Sequence, residues 1–91
     1  MLLSTEDIKY KLKELTGWSY DNNSIQKEIE LKDFSSVLAF TVKIGIEAEK
    51  LDHHPDILIH SWNKCKLTIS THNEGGVTEK DLQLAQAIEN L

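Results

Sequence analysis

Ninety-one residues, 40% hydrophobic and 27% charged with a net charge of −5, describe one globular domain (residues 1–91) rather than a disordered chain. Arginine is absent, which argues against a nucleic-acid reader or an anionic membrane surface as partner, since both call for a basic face. The single cysteine, Cys65, fits a reducing compartment, no apolar run reaches membrane-spanning length, and the N-terminal segment turns acidic by Glu6-Asp7, so the expected location is the cytoplasm.

Ser4-Thr5-Glu6-Asp7 reads as a capped helix start, and Ile8, Leu12 and Leu15 recur on one face of a short helix that Gly17 ends. Trp18 and Tyr20 open an extended piece, Asp21-Asn22-Asn23-Ser24 is turn chemistry, and residues 25–31 alternate apolar and polar as a half-buried strand. Asp33 is the next cap. Phe34, Val37, Leu38, Thr41, Ile44, Gly45, Ala48 and Leu51 predict one apolar stripe along a helix over 34–51, with Gly45 expected at a close approach to a neighbour.

Pro55 forces His54 into extended backbone, so this helix should stop near Asp52. Residues 57–62 and 65–71 predict a second hairpin, turning at Asn63-Lys64, and His72 is expected at the end of its last strand. Thr78 as cap, Asp81 three residues on, and Val77 and Leu82 as a hydrophobic staple predict a last helix with Leu82, Ala85, Ile88 and Leu91 inward. The order α-β-β-α-β-β-α implies an α+β two-layer sandwich: a four-stranded antiparallel sheet with three helices on one face. So small a chain is expected to form a homodimer or homotetramer.

The chemistry gathers at Glu49-Lys50-Leu51-Asp52-His53-His54-Pro55. Imidazoles among carboxylates suit proton transfer or metal ligation. Antiparallel pairing sets the start of one strand beside the end of the next, so His72 should come close to His53 and His54. Three imidazoles with Glu49, Asp52 and Asp81 nearby could hold a metal or act as a metal-free acid–base set. Neighbouring residues on extended backbone point to opposite sides, which weighs against His53 and His54 sharing an ion. His60 reads as an ordinary sheet residue, Cys65 as a buried inert thiol, and Lys80 as a weak phosphate-loop candidate.

The Glu49–Pro55 run, Trp62-Asn63-Lys64, and Ser70-Thr71-His72-Asn73-Glu74-Gly75-Gly76-Val77-Thr78 with Asp81 resemble the pterin-4a-carbinolamine dehydratases. Gly17-Trp18 and Leu31-Lys32-Asp33-Phe34 extend the resemblance over nearly the whole chain, with Asn73 standing where an acid is common. The resemblance implies a hydro-lyase that removes water from a 4a-hydroxytetrahydropterin in tetrahydrobiopterin regeneration, with no metal and no organic cofactor. It makes His53, His54 and His72 the catalytic imidazoles. His54 or His72 would be the acid near C4a and His53 the base or a binding group. Glu49 and Asp52 would hold histidine tautomers or bind the amino-pyrimidinone edge. Pro55, Ser70, Thr71, Asn73, Asp81 and Trp18 complete the expected substrate-binding set. Two alternatives stand beside it: the same fold acting on another pterin, such as one of molybdenum-cofactor metabolism, or a non-catalytic dimerisation or assembly module.

Overall fold

The first hairpin closes on two asparagines. Asn22 and Asn23 both take left-handed backbone (φ 53° and 62°), the pair of conformations a two-residue hairpin turn needs, and asparagine tolerates them better than any residue but glycine. The turn joins β1 (Ser19–Asp21) to β2 (Ser24–Glu30) in a computed structural model that describes residues 1–91. The second hairpin, β3 (Asp56–His60) and β4 (Lys64–Ile69), inserts β4 beside β2, giving the antiparallel order β1-β2-β4-β3. The α+β sandwich is as expected, with α1 (Thr5–Leu12), α2 (Phe34–Leu51) and α3 (Glu79–Glu89) as its helices. None of them is long and apolar enough to cross a membrane.

The pairing register separates the two faces of the sheet. Ile25, Ile29, Cys65, Leu67 and Ile69 alternate toward the helices and join Ile8, Val37, Ile44, Ala48, Leu84 and Ile88 in the core. Burial there pushes the Cys65 thiol pKa up, which suits an inert packing role. Gln26, Glu28, Lys66 and Thr68 alternate onto the opposite face.

Several boundaries differ from expectation. α1 ends at Leu12; Leu15 is buried from a following turn, and Gly17 takes φ +90° where an added Cβ would stand 3.0 Å from the Lys27 side chain. Trp18 precedes β1 rather than opening it. The second hairpin turns at Ser61-Trp62-Asn63, because Ser61 and Trp62 adopt left-handed backbone (φ 51° and 57°) without a glycine to announce it. Asn63 is held by Leu31, whose N–H donates to the Asn63 carbonyl and whose carbonyl accepts from the Asn63 side chain.

α2 runs as expected, from the Asp33 cap, whose carboxylate accepts the Ser36 N–H at 2.8 Å, to Leu51. Its apolar residues, however, form two faces. Val37, Ile44 and Ala48 are buried, while Phe34, Leu38, Val42 and Ile46, spaced by four, are exposed. Gly45 packs against nothing in its own chain, since a Cβ there meets no atom within 4 Å. In α3 it is Leu84, not Leu91, that completes the buried stripe; Leu91 follows the helix and is exposed.

Candidate active site

The cleft is built at a corner. α2 stops because Asp52 turns left-handed (φ 49°), with its N–H still donating to Glu49, and the chain leaves in extended backbone through His53 and His54 to Pro55. β3 then starts at Asp56, which pairs with Thr68. The antiparallel register therefore carries Ser70 and its successors back toward the histidine pair. Beyond Ile69 the strand gives way: Thr71 bridges to Gly76, and between them His72–Glu74 form a short 3-10 turn. His72 thus stands on a turn rather than at a strand end. Asp52, His53, His54, Ser70, Thr71, His72, Asn73 and Lys80 line one open cleft of about 310 Å³.

The three imidazoles have different surroundings. His53 is buried, and its Nε2 lies 2.5 Å from Oδ1 of Asp81, a carboxylate with no exposed surface. The other oxygen of Asp81 accepts from the Thr71 hydroxyl and the Thr78 N–H, both at 2.8 Å. The bonds around it run in one direction. The Lys80 N–H donates to the Thr78 hydroxyl oxygen, the Thr78 hydroxyl donates to Thr71 at 2.8 Å, and Thr71 donates to Asp81. A carboxylate only accepts, so the Nε2 of His53 carries a proton, and in the neutral ring Nδ1 is the lone-pair nitrogen. Nδ1 has no partner in the protein, which leaves it for whatever enters the cleft.

His54 is exposed, with Nε2 2.8 Å from the exposed Glu49 carboxylate, which fixes its tautomer in the same sense. His72 is exposed, and its ring has no hydrogen-bond partner in the protein. The cleft therefore offers a buried ring held on a buried carboxylate, an exposed ring held on an exposed carboxylate, and a free exposed ring. Such a set can give and take protons at separate atoms of one ligand. No three His, Cys, Asp or Glu side chains stand together in a metal-ligating arrangement.

The remaining candidates divide by distance from the cleft. Asp52, Ser70, Thr71 and Asn73 line it. Glu49 and Asp81 stand behind histidines rather than in it, Asp81 being closed off altogether. Pro55 does not line it and acts on the backbone of His54. Trp18 lies in the core among residues such as Leu15 and Ile25, away from the cleft. Two residues escaped the sequence reading as parts of the site. Thr78 looked like a helix cap alone, though its hydroxyl also braces Thr71. Lys80 reaches the cleft from the first turn of α3; its position one residue before Asp81 was the available signal.

Comparisons with known proteins agree in one direction. A family profile described as pterin 4 alpha carbinolamine dehydratase matches residues 1–91. A protein of Sulfolobus acidocaldarius, provisionally named pterin-4-alpha-carbinolamine dehydratase, is 44% identical over all of this chain and 99% of its own length. One of Roseiflexus sp., named in the same provisional way, is 43% identical over 98% of this chain and 95% of its own. A solved structure described as a transcriptional coactivator/pterin dehydratase from Brucella melitensis superposes with a TM-score of 0.92 at 33% identity, covering 99% of this chain and 97% of that one. A pterin dehydratase-like protein described as a RuBisCO assembly factor of the alpha-carboxysome superposes with a TM-score of 0.63 at 14% identity over 80% of this chain and 83% of that one, a likeness of fold alone.

Proposed function

Because the chain belongs to the pterin-4a-carbinolamine dehydratase family, and three imidazoles line one cleft, we propose that it dehydrates a 4a-hydroxytetrahydropterin to the quinonoid dihydropterin by histidine acid–base chemistry. The convergence of His53 and His54 from the end of α2 with His72 from the turn after β4 carries this reading. In the reaction the C4a–O bond breaks as its oxygen takes a proton, and a ring N–H gives one up. The products are water and the quinonoid form. His53 suits the acceptor role, since Asp81 holds its Nε2 proton and leaves Nδ1 with a lone pair. His54, held by Glu49, or the free His72 suits the donor role when protonated. Asp52, Ser70, Thr71 and Asn73 would bind the pterin head, with the Asp52 carboxylate matched to its amino and N–H edge.

The reading places the enzyme in the cytoplasm and in tetrahydrobiopterin regeneration, with no metal or organic cofactor. Homo-oligomers would form through the exposed apolar face of α2, where a second helix could approach the open Gly45. The test is direct. The absorbance of the 4a-carbinolamine is followed on mixing with wild-type protein, His54→Ala and His72→Ala, all with EDTA present. Wild type should speed its loss, and each variant should be slower by about 10²–10⁴. A wild type no faster than buffer, or a His72→Ala variant with full activity, would sink the assignment.

A further inference from the structure

The histidine cleft does not end at its own rim. Thr71, Asn73 and Lys80 also line a second cavity, of about 440 Å³, that continues past Glu74 and Glu79 to Leu3. A hydroxylated pterin is a flat two-ring head bearing a substituent at C6. If the head occupies the histidine cleft, the neighbouring cavity is the adjoining space for what the head carries.

The charges along this path are unevenly matched. Glu74 pairs with the Met1 amino group at 2.9 Å, and Glu79 pairs with Lys11 at 3.0 Å. Each acid of the second cavity is thus engaged by a cation of another segment. The Lys80 ammonium, at the junction, makes no ion pair or side-chain hydrogen bond within the protein, although carboxylates stand on either side of it in the sequence. The single carboxylate lining the histidine cleft, Asp52, does not line the second cavity. The two ends of the path therefore differ in kind: an acid suited to the N–H-rich edge of the head, and an unclaimed cation where the substituent would pass.

We propose that the second cavity is the subsite for the C6 substituent and that Lys80 selects a pterin whose substituent carries an anionic group, a phosphate ester or a carboxylate. The proposal rests on the pterin reading of the histidine cleft but narrows the substrate away from tetrahydrobiopterin, whose dihydroxypropyl substituent is uncharged.

Three stable probes test it: 6-hydroxymethyl-7,8-dihydropterin, its phosphate monoester, and the 6-carboxy analogue. Their dissociation constants are measured by titration calorimetry on the full chain and on Lys80→Ala, Lys80→Glu and Lys80→Arg. Lys80 is exposed, so all three variants should fold, which their melting curves check. Wild type should bind the ester about threefold to tenfold more tightly than the alcohol, as one charge-assisted contact near the surface allows. The preference should vanish in Lys80→Ala, invert in Lys80→Glu, survive in Lys80→Arg, and shrink with added salt. A matching gain for the carboxy analogue marks recognition of charge alone; a gain for the ester only marks a phosphate. Equal affinity of wild type for the alcohol and both anions, or a preference that persists in Lys80→Ala, overturns the proposal. So does failure to bind any probe, and the carbinolamine assay then decides whether the dehydratase reading falls with it.

Discussion

Asp81 makes the least visible contribution to the cleft and the most specific one. It touches no solvent, yet its two oxygens hold His53 on one side and the Thr71–Thr78 pair on the other. Replacing it with asparagine tests what it does. The Thr71 hydroxyl and the Thr78 N–H still need an acceptor, so the amide oxygen should stay with them and the amide NH₂ should face His53. That NH₂ can only donate, and Nε2 must then accept, moving the ring proton to Nδ1. We expect Asp81→Asn to remain folded and to lose about 10²–10⁴ in kcat, with a much smaller change in KM, because the base rather than the binding surface is removed. A variant with unchanged kcat and a raised KM would instead place Asp81 in binding. The sequence showed the capping role of Asp81 but hid this one, since a bond between residues 28 apart has no local signature.

The elements were most legible where a local rule fixes the backbone. α2 could be bounded from Asp33 and Pro55, because a carboxylate cap and a proline-restricted neighbour both act within a few residues. The turn of the second hairpin could not, because Ser61 and Trp62 are held left-handed by their setting and not by their own preference. His72 was placed near its partners, but on a strand rather than a 3-10 turn, since the Thr71–Gly76 bridge that ends the strand is a tertiary fact. The Asp33 cap also has a pH signature. Hydrogen bonds from Ser36 and Ser35 hold its carboxyl below its ordinary value of 3.8. A depressed folded pKa stabilises above the unfolded value and loses that contribution as the pH falls through the folded one. Asp33→Ala should therefore lower the unfolding midpoint at neutral pH, and the gap from wild type should close as the pH drops below 3.8, as thermal melts across that range would read.

For the molecule as a whole, the feature of most consequence is the exposed apolar face of α2. The sequence pattern predicts one apolar stripe along this helix, whereas its apolar residues divide into a buried face and an exposed one, because no pattern says how much of a helix its own sheet can reach. Val42, 63% exposed, sits within the uncovered part. Fully burying a valine side chain is worth about 1.5–3 kcal/mol, and a glutamate there would add the cost of desolvating a charge. Wild type should sediment as an oligomer, and Val42→Glu, with fold and cleft intact, should sediment as a single chain. Identical sedimentation of the two proteins would remove α2 from the interface.

The opening residues of the chain are tied to the far side of the cleft. The Leu3 N–H donates to the Val77 carbonyl at 2.9 Å, and the Leu2 side chain lies 3.0 Å from where a Cβ on Gly76 would stand. These contacts join segments at nearly opposite ends of the sequence, and the entropic cost of closing so long a loop grows only slowly with its length. The turn bearing His72 is closed locally by the Thr71–Gly76 bridge and gains a second brace from the first residues of the chain. An extension that pried Leu2 and Leu3 from Gly76 and Val77 would therefore loosen one wall of the cleft without touching the sheet.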